Sequence, residues 1–71
     1  MKVPYVLVRN NWEIDLVTEV YAVIMEDSEI KAKEIAKEKY HISNDNFDKD
    51  KETYYEILSP EKTNNRSLYL Y

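Results

Sequence analysis

Glycine and cysteine are both missing from this 71-residue chain, proline occurs only twice and histidine once. Phosphate-cradling loops and dinucleotide turns use glycine so that the backbone can approach the ligand, so its absence excludes Walker-type and Rossmann-type sites. The lack of cysteine removes disulfides and thiolate metal sites, and with His41 as the sole imidazole a zinc site would rest on carboxylates, which structural zinc seldom uses. No apolar run approaches the ~20 residues that cross a bilayer. Met1-Lys2-Val3-Pro4-Tyr5 enters strand-like sequence without the basic and long apolar regions of a signal peptide, so the reading is a cytoplasmic protein with no membrane partner. Basic charge is also in deficit. Fourteen acidic residues against ten basic ones give a net charge of −4, the wrong sign for a protein that wraps nucleic-acid phosphates.

What is present is a hydrophobic fraction of 44%, enough to exclude compositional disorder. The length allows one domain, residues 1–71, and a chain this short hides only ~60% of the surface its unfolded form exposes. Small domains gain support from disulfides, metals or partner subunits, and with the first two disfavoured a homodimer is one expectation.

Val3 to Arg9 is rich in strand formers and meets Asn10-Asn11, which reads as a hairpin turn, asparagine taking the positive-φ positions that glycine would otherwise fill. From Trp12 to Ile24 the even positions carry Trp12, Ile14, Leu16, Val20, Ala22 and Ile24, while the odd ones include Glu13, Asp15 and Glu19. The period of two predicts a long strand with its even face on the core, and its length implies a bend or bulge near Leu16 to Thr18. Asp27-Ser28 supplies an N-cap, Glu29 suits the first turn, and Ser28 to Tyr40 predicts a helix whose stripe is Ala32, Ile35, Ala36, Lys39 and Tyr40, with Ile30 on the opposite side. His41 to Lys51 reads as a polar loop anchored by Ile42 and Phe47. Thr53 to Leu58 predicts a third strand, Ser59 to Asn65 a turn, and Arg66 to Tyr71 a fourth strand. The expected fold class is α+β, a two-layer β-β-α-β-β arrangement with one helix packed on a mainly antiparallel four-stranded sheet.

Catalytic groups are not evident. Asn44, Asn46, Asp48, Asp50 and Glu52 alternate as in a calcium loop, but the positions that need glycine and a bidentate glutamate hold Lys49 and Tyr55. His41 has no serine, cysteine or paired carboxylate at a diagnostic spacing and reads as a charge partner for the helix C-terminus. Glu13, Asp15 and Glu19 alternate with apolar residues as solvent-facing strand positions do. The chain is therefore read as a non-enzyme with no cofactor and no metal.

Seven tyrosines are the more informative excess, since tyrosine gives interfaces contact area at low entropic cost. With the even face of the second strand on the helix, Val17, Tyr21, Val23 and Met25 face away from it. Burying Glu56 is costly, so Tyr54, Glu56 and Leu58 are expected on that outer face as well. Tyr69 and Tyr71 join them on the terminal strand, and Asp45, Asp48 and Asp50 supply acidic edges. Two uses of this face stay open: it closes a homodimer, or it docks another protein.

Val20-Tyr21-Ala22-Val23-Ile24-Met25-Glu26-Asp27-Ser28-Glu29, then Ala32, Lys37-Glu38-Lys39-Tyr40 and Asp45-Asn46-Phe47, resemble the small DpnD/PcfM-like proteins of bacterial phages and mobile elements, over roughly half of the chain. Ser28, Ala32 and Phe47 match as structural positions, and the family supplies no catalytic residue to carry over. The resemblance implies a setting among phages, plasmids and defence loci. The leading expectation is a protein-interaction module that binds and inhibits a host protein, such as a CRISPR or other defence nuclease, through an acidic, tyrosine-bearing surface. The alternative is a nucleic-acid or nucleotide-binding accessory protein that stacks bases on tyrosines and contacts phosphates with Lys31, Lys33 and Lys37. A third reading is an enzyme completed across a dimer.

Overall fold

The computed structural model describes residues 1–13 and 17–64. They form an α+β fold whose order is β1 (Val3–Asn11), β2 (Val17–Glu26), α1 (Glu29–Lys39), a short 3-10 helix (Asn44–Phe47), β3 (Thr53–Leu58) and α2 (Pro60–Asn64). The sheet is antiparallel, with strand order β2-β1-β3. It has three strands among the described residues rather than the expected four; the segment read as the fourth, Arg66 to Tyr71, lies outside them.

The first half of the chain departs from expectation at two asparagines. Asn10 and Asn11 do not turn the chain but end β1, opposite Thr18 and Val17. Asn10 is fully buried because its amide is bonded at both ends: Thr18 Oγ1 donates to Asn10 Oδ1 at 2.7 Å, and Asn10 Nδ2 donates to Glu56 Oε1 at 3.0 Å. A buried amide so partnered avoids the desolvation cost of an unsatisfied one. Asn11 Oδ1 accepts from the Glu13 amide at 2.9 Å and begins the connection. Trp12, expected in the core, is half exposed, and its amide donates to the Glu52 carbonyl at 2.8 Å. Ile14, Asp15 and Leu16 lie outside the described residues.

β2 carries the bulge, but at Tyr21. Leu7 pairs with Ala22 and Val8 with Val20, so two residues of β2 oppose one step of β1. One extra residue inverts the facing of everything before it. Ala22 and Ile24 face α1 as expected, whereas Thr18 and Val20 turn to the opposite face, and Val17, Glu19 and Tyr21 are the ones on the helix side. The continuous even-numbered core face from Trp12 to Ile24 is thereby corrected.

Helix α1 begins as its residues dictate. Ser28, extended at φ −149° and ψ 155°, accepts the Lys31 amide on Oγ at 3.2 Å, and Asp27 holds the Lys31 ammonium at 3.2 Å one turn away. Ala32 and Ala36 are fully buried, with Ile35 and Tyr40 partly so; Lys39 from the expected stripe is exposed. Small residues let the helix lie close on Tyr5, Leu7, Ile24 and Ile57, and Ile42 closes this cluster. The helix stops at His41, whose φ of 56° makes it the only positive-φ residue among those described, a place expected for asparagine. That left-handed step turns the Ile42 amide back to the Lys37 carbonyl at 3.0 Å, which seats Ile42 in the core. Phe47 packs against the same cluster, so both anchors of the polar loop hold.

Part of the far face of the sheet is also buried. Val6, Val8 and Leu58 form a second apolar cluster, with Val20 beside it. Within Ser59 to Asn65, expected as a turn, Pro60–Asn64 is helical: Pro60 has no amide to leave unpaired at the first position, and Ser59 Oγ accepts the Lys62 amide at 3.3 Å. Asn65 lies outside the described residues.

Candidate functional site

An edge strand exposes backbone groups, and β2 is such an edge: among the described residues it pairs with β1 alone. Pleating puts Met25 beside Pro4 and Val23 beside Val6 on the face away from α1. Val23 is 59% exposed and Met25 53%, while Val6 beneath them is buried. These two side chains and the exposed Pro4 make an apolar strip along the edge. Acid flanks it. Glu26 accepts the Asp27 amide at 3.1 Å and Asp27 pairs with Lys31, so both carboxylates stay at the surface beside Met25.

The bulge sends Tyr21 to the other face of the same edge, where it is 45% exposed. Its ring meets that of Tyr55 edge to face, with centroids 5.3 Å apart, and Tyr55 in turn lies 6.4 Å from Phe47. The Lys33 ammonium sits 4.8 Å over the Phe47 ring. Arg9, opposite both Glu19 and Tyr55 in the sheet, reaches Glu19 at 3.7 Å; its Nε is buried with no hydrogen-bond partner among the described residues. The Tyr55 phenol is pushed above its ordinary value by burial first, then by the hydrogen bond and charge of Tyr21, with Arg9 acting in the opposite sense. The phenol therefore stays protonated and polar, a group suited to contact rather than to proton transfer near neutral pH.

The expected binding residues separate into three groups. Tyr21 and Val23 are exposed on the β2 edge, on opposite faces of the sheet rather than on one. Tyr54, Glu56 and Leu58 do point away from α1, but as interior groups: Tyr54 is 8% exposed, Leu58 is fully buried, and half-buried Glu56 accepts from Asn10. Tyr54 is thus corrected from a docking residue to a packing one. The Asn10 amide offsets part of the cost of placing Glu56 there. Asp45, Asp48 and Asp50 are exposed on the loop after α1, where Asp48 accepts the Asp50 amide at 3.0 Å. Tyr69 and Tyr71 lie outside the described residues.

The lysines proposed for phosphate contact are largely engaged. Lys31 is held by Asp27, Lys37 by Glu34 at 3.0 Å and by Asn44 Oδ1 at 3.1 Å, and Lys33 by the Phe47 ring. Among the described residues no three acidic or histidine side chains gather as a metal site. His41 is exposed and Glu13 points to solvent beside the first connection. No helix of the described residues is long and apolar enough to cross a membrane. Arg9 and Tyr55 were not anticipated, because their meeting depends on the register of β1 with β3, which are far apart in the chain; an arginine within an otherwise apolar strand run was the available signal. No protein-family model, no curated protein and no solved structure matches the chain.

Proposed function

We propose that this chain is a protein-binding module that docks through the β2 edge, with Val23, Met25 and Tyr21 as apolar contacts and Glu26 and Asp27 as an acidic flank. The observation that carries the reading is that two large apolar side chains more than half exposed lie side by side on a strand whose outer edge is unpaired among the described residues. Addition of a partner's strand would satisfy the outward amides and carbonyls of β2 and cover the strip, while alternate side chains set specificity. The partner carries basic residues opposite Glu26 and Asp27, which steers encounter and fixes orientation. In the setting implied by the DpnD/PcfM-like resemblance, that partner is a host protein, and a defence nuclease with a basic nucleic-acid groove has the matching charge. Inhibition follows from occupying that groove, without catalysis by this chain.

The experiment is a pull-down from host lysate with the wild-type chain and with the double variant Val23→Asp, Met25→Asp, each checked for native circular dichroism. A stoichiometric partner that the variant loses supports the reading. A partner retained by the variant, or none recovered by the wild type, overturns it. If sedimentation shows a dimer that only the variant dissolves, the strip closes a homodimer instead.

A further inference from the structure

β3 is the other edge of the sheet, and its hydrogen-bond phase can be read from one contact. The Trp12 amide donates to the Glu52 carbonyl at 2.8 Å, so these two residues form a hydrogen-bonded pair, and antiparallel pairs alternate from there. Asn10 with Tyr54, Val8 with Glu56 and Val6 with Leu58 exchange bonds inside the sheet. Thr53, Tyr55 and Ile57 consequently turn their amides and carbonyls outward. Among the described residues no strand pairs with this side of β3.

Beside that edge runs an open groove of about 290 Å³. Tyr55, Glu56 and Ile57 all border it, although successive strand side chains point to opposite faces, so the groove follows the backbone edge itself. Its rim holds Lys33, Phe47, Lys49 and Lys62. Lys62 pairs with Glu29 at 3.3 Å, and Glu56 is bonded to Asn10. Neither Lys33 nor Lys49 has a carboxylate partner among the described residues. The groove therefore combines backbone groups that are unpaired among the described residues, an excess of ammonium over carboxylate (Lys33, Lys49 and Lys62 against Glu29 and Glu56) and an aromatic wall.

We propose that the β3 edge binds an extended acidic segment of another protein, added as a new edge strand, with its carboxylates at Lys33 and Lys49 and its apolar side chains against Phe47 and Tyr55. A flat ring bearing a phosphate would use the same lysines. It would leave the outward groups of Tyr55 and Ile57 unsatisfied, however. The strand uses every group the groove offers. This site is independent of the β2 edge and of the function proposed for it.

The test follows backbone amides by NMR while the full chain is titrated with four probes: a short capped Glu-Val peptide built of Glu-Glu-Val-Val repeats, so that each face of the strand carries both residue types, its Lys-Val counterpart, the Glu-Val peptide N-methylated at alternate amides, and adenosine monophosphate. The Glu-Val peptide is expected to shift and slow the exchange of the Tyr55 and Ile57 amides. Lys33→Glu combined with Lys49→Glu should weaken it about tenfold, and Lys49→Glu alone, at an exposed position, by less. The Lys-Val and N-methylated peptides should not bind. Equal binding by the N-methylated peptide, displacement by adenosine monophosphate, shifts confined to β2, or no saturable binding of the Glu-Val peptide would each overturn the proposal.

Discussion

The two faces of the sheet are filled by different chemistry. Against α1 lies an apolar layer of Tyr5, Leu7, Ile24, Ile57, Ala32, Ala36 and Ile42. On the opposite face Val6, Val8 and Leu58 share the interior with the bonded series Thr18, Asn10 and Glu56. The first face is held by shape and area, and tolerates small errors of composition as long as volume is kept. The second depends on each polar group finding its partner, because a half-satisfied network costs more than an apolar one.

The largest effect should come from the helix side. Leu7→Ala leaves a cavity at a fully buried position and should cost about 2–5 kcal/mol, read from the urea midpoint; a loss below about 1 kcal/mol would mean that this layer is not the main support. Next is Asn10→Ala on the far face, which removes the acceptor of the Thr18 hydroxyl and a donor to the Glu56 carboxylate and should cost about 1–3 kcal/mol. If Asn10→Ala proved neutral, the polar series would be incidental and the contrast between the faces would fail.

A gain, smaller in size, is expected from His41→Gly. A residue with a β-carbon held at φ 56° is strained, and glycine there should stabilise the chain by up to about 1 kcal/mol while leaving Ile42 in place. The smallest effect concerns the open end of the helix face. Tyr55 holds its proton more tightly when folded, so its contribution is complete below the ordinary tyrosine value of 10.0 and is lost as pH rises through the higher folded value. Denaturant midpoints of the wild type and Tyr55→Phe should therefore keep a constant difference up to about pH 9, with the wild type falling relative to the variant by about pH 11. A constant difference across that range would show that burial and Tyr21 do not act on Tyr55.

How much of this was legible depends on whether the deciding partner is near in sequence. The N-cap at Ser28, the α1 stripe of Ala32 and Ala36 and the strand at β3 are set by local periodicity, and residues close by carry the signal. Ser59-Pro60 carried a helix-start signal too, but α2 is so short that its apolar period is absent and the residues read as a turn. Asn10 was unreadable as an interior group because one of its partners is Glu56, far along the chain. Tyr54 followed the same logic: its facing came from the cost of burying Glu56 on the same side of the strand, but whether that face was covered could not be read. Of the candidate site, Tyr21, Val23 and Met25 were legible as outward groups. The bulge that parts Tyr21 from the other two was hidden, since one extra residue leaves the alternation looking regular on either side.

That bulge also bears on how the chain can vary in length. Ala22 opposes Leu7 and Val20 opposes Val8, so removing Tyr21 would join two residues that already face opposite ways and already have their partners. A deletion in mid-strand, ordinarily ruinous, would here leave every remaining pair in register, whereas the same deletion one turn of the pleat away would invert a whole segment. The ladder has a spare residue, and it is a half-exposed tyrosine. Of all residues in β2, Tyr21 is thus the one whose presence is least explained by the sheet and most by what its side chain meets.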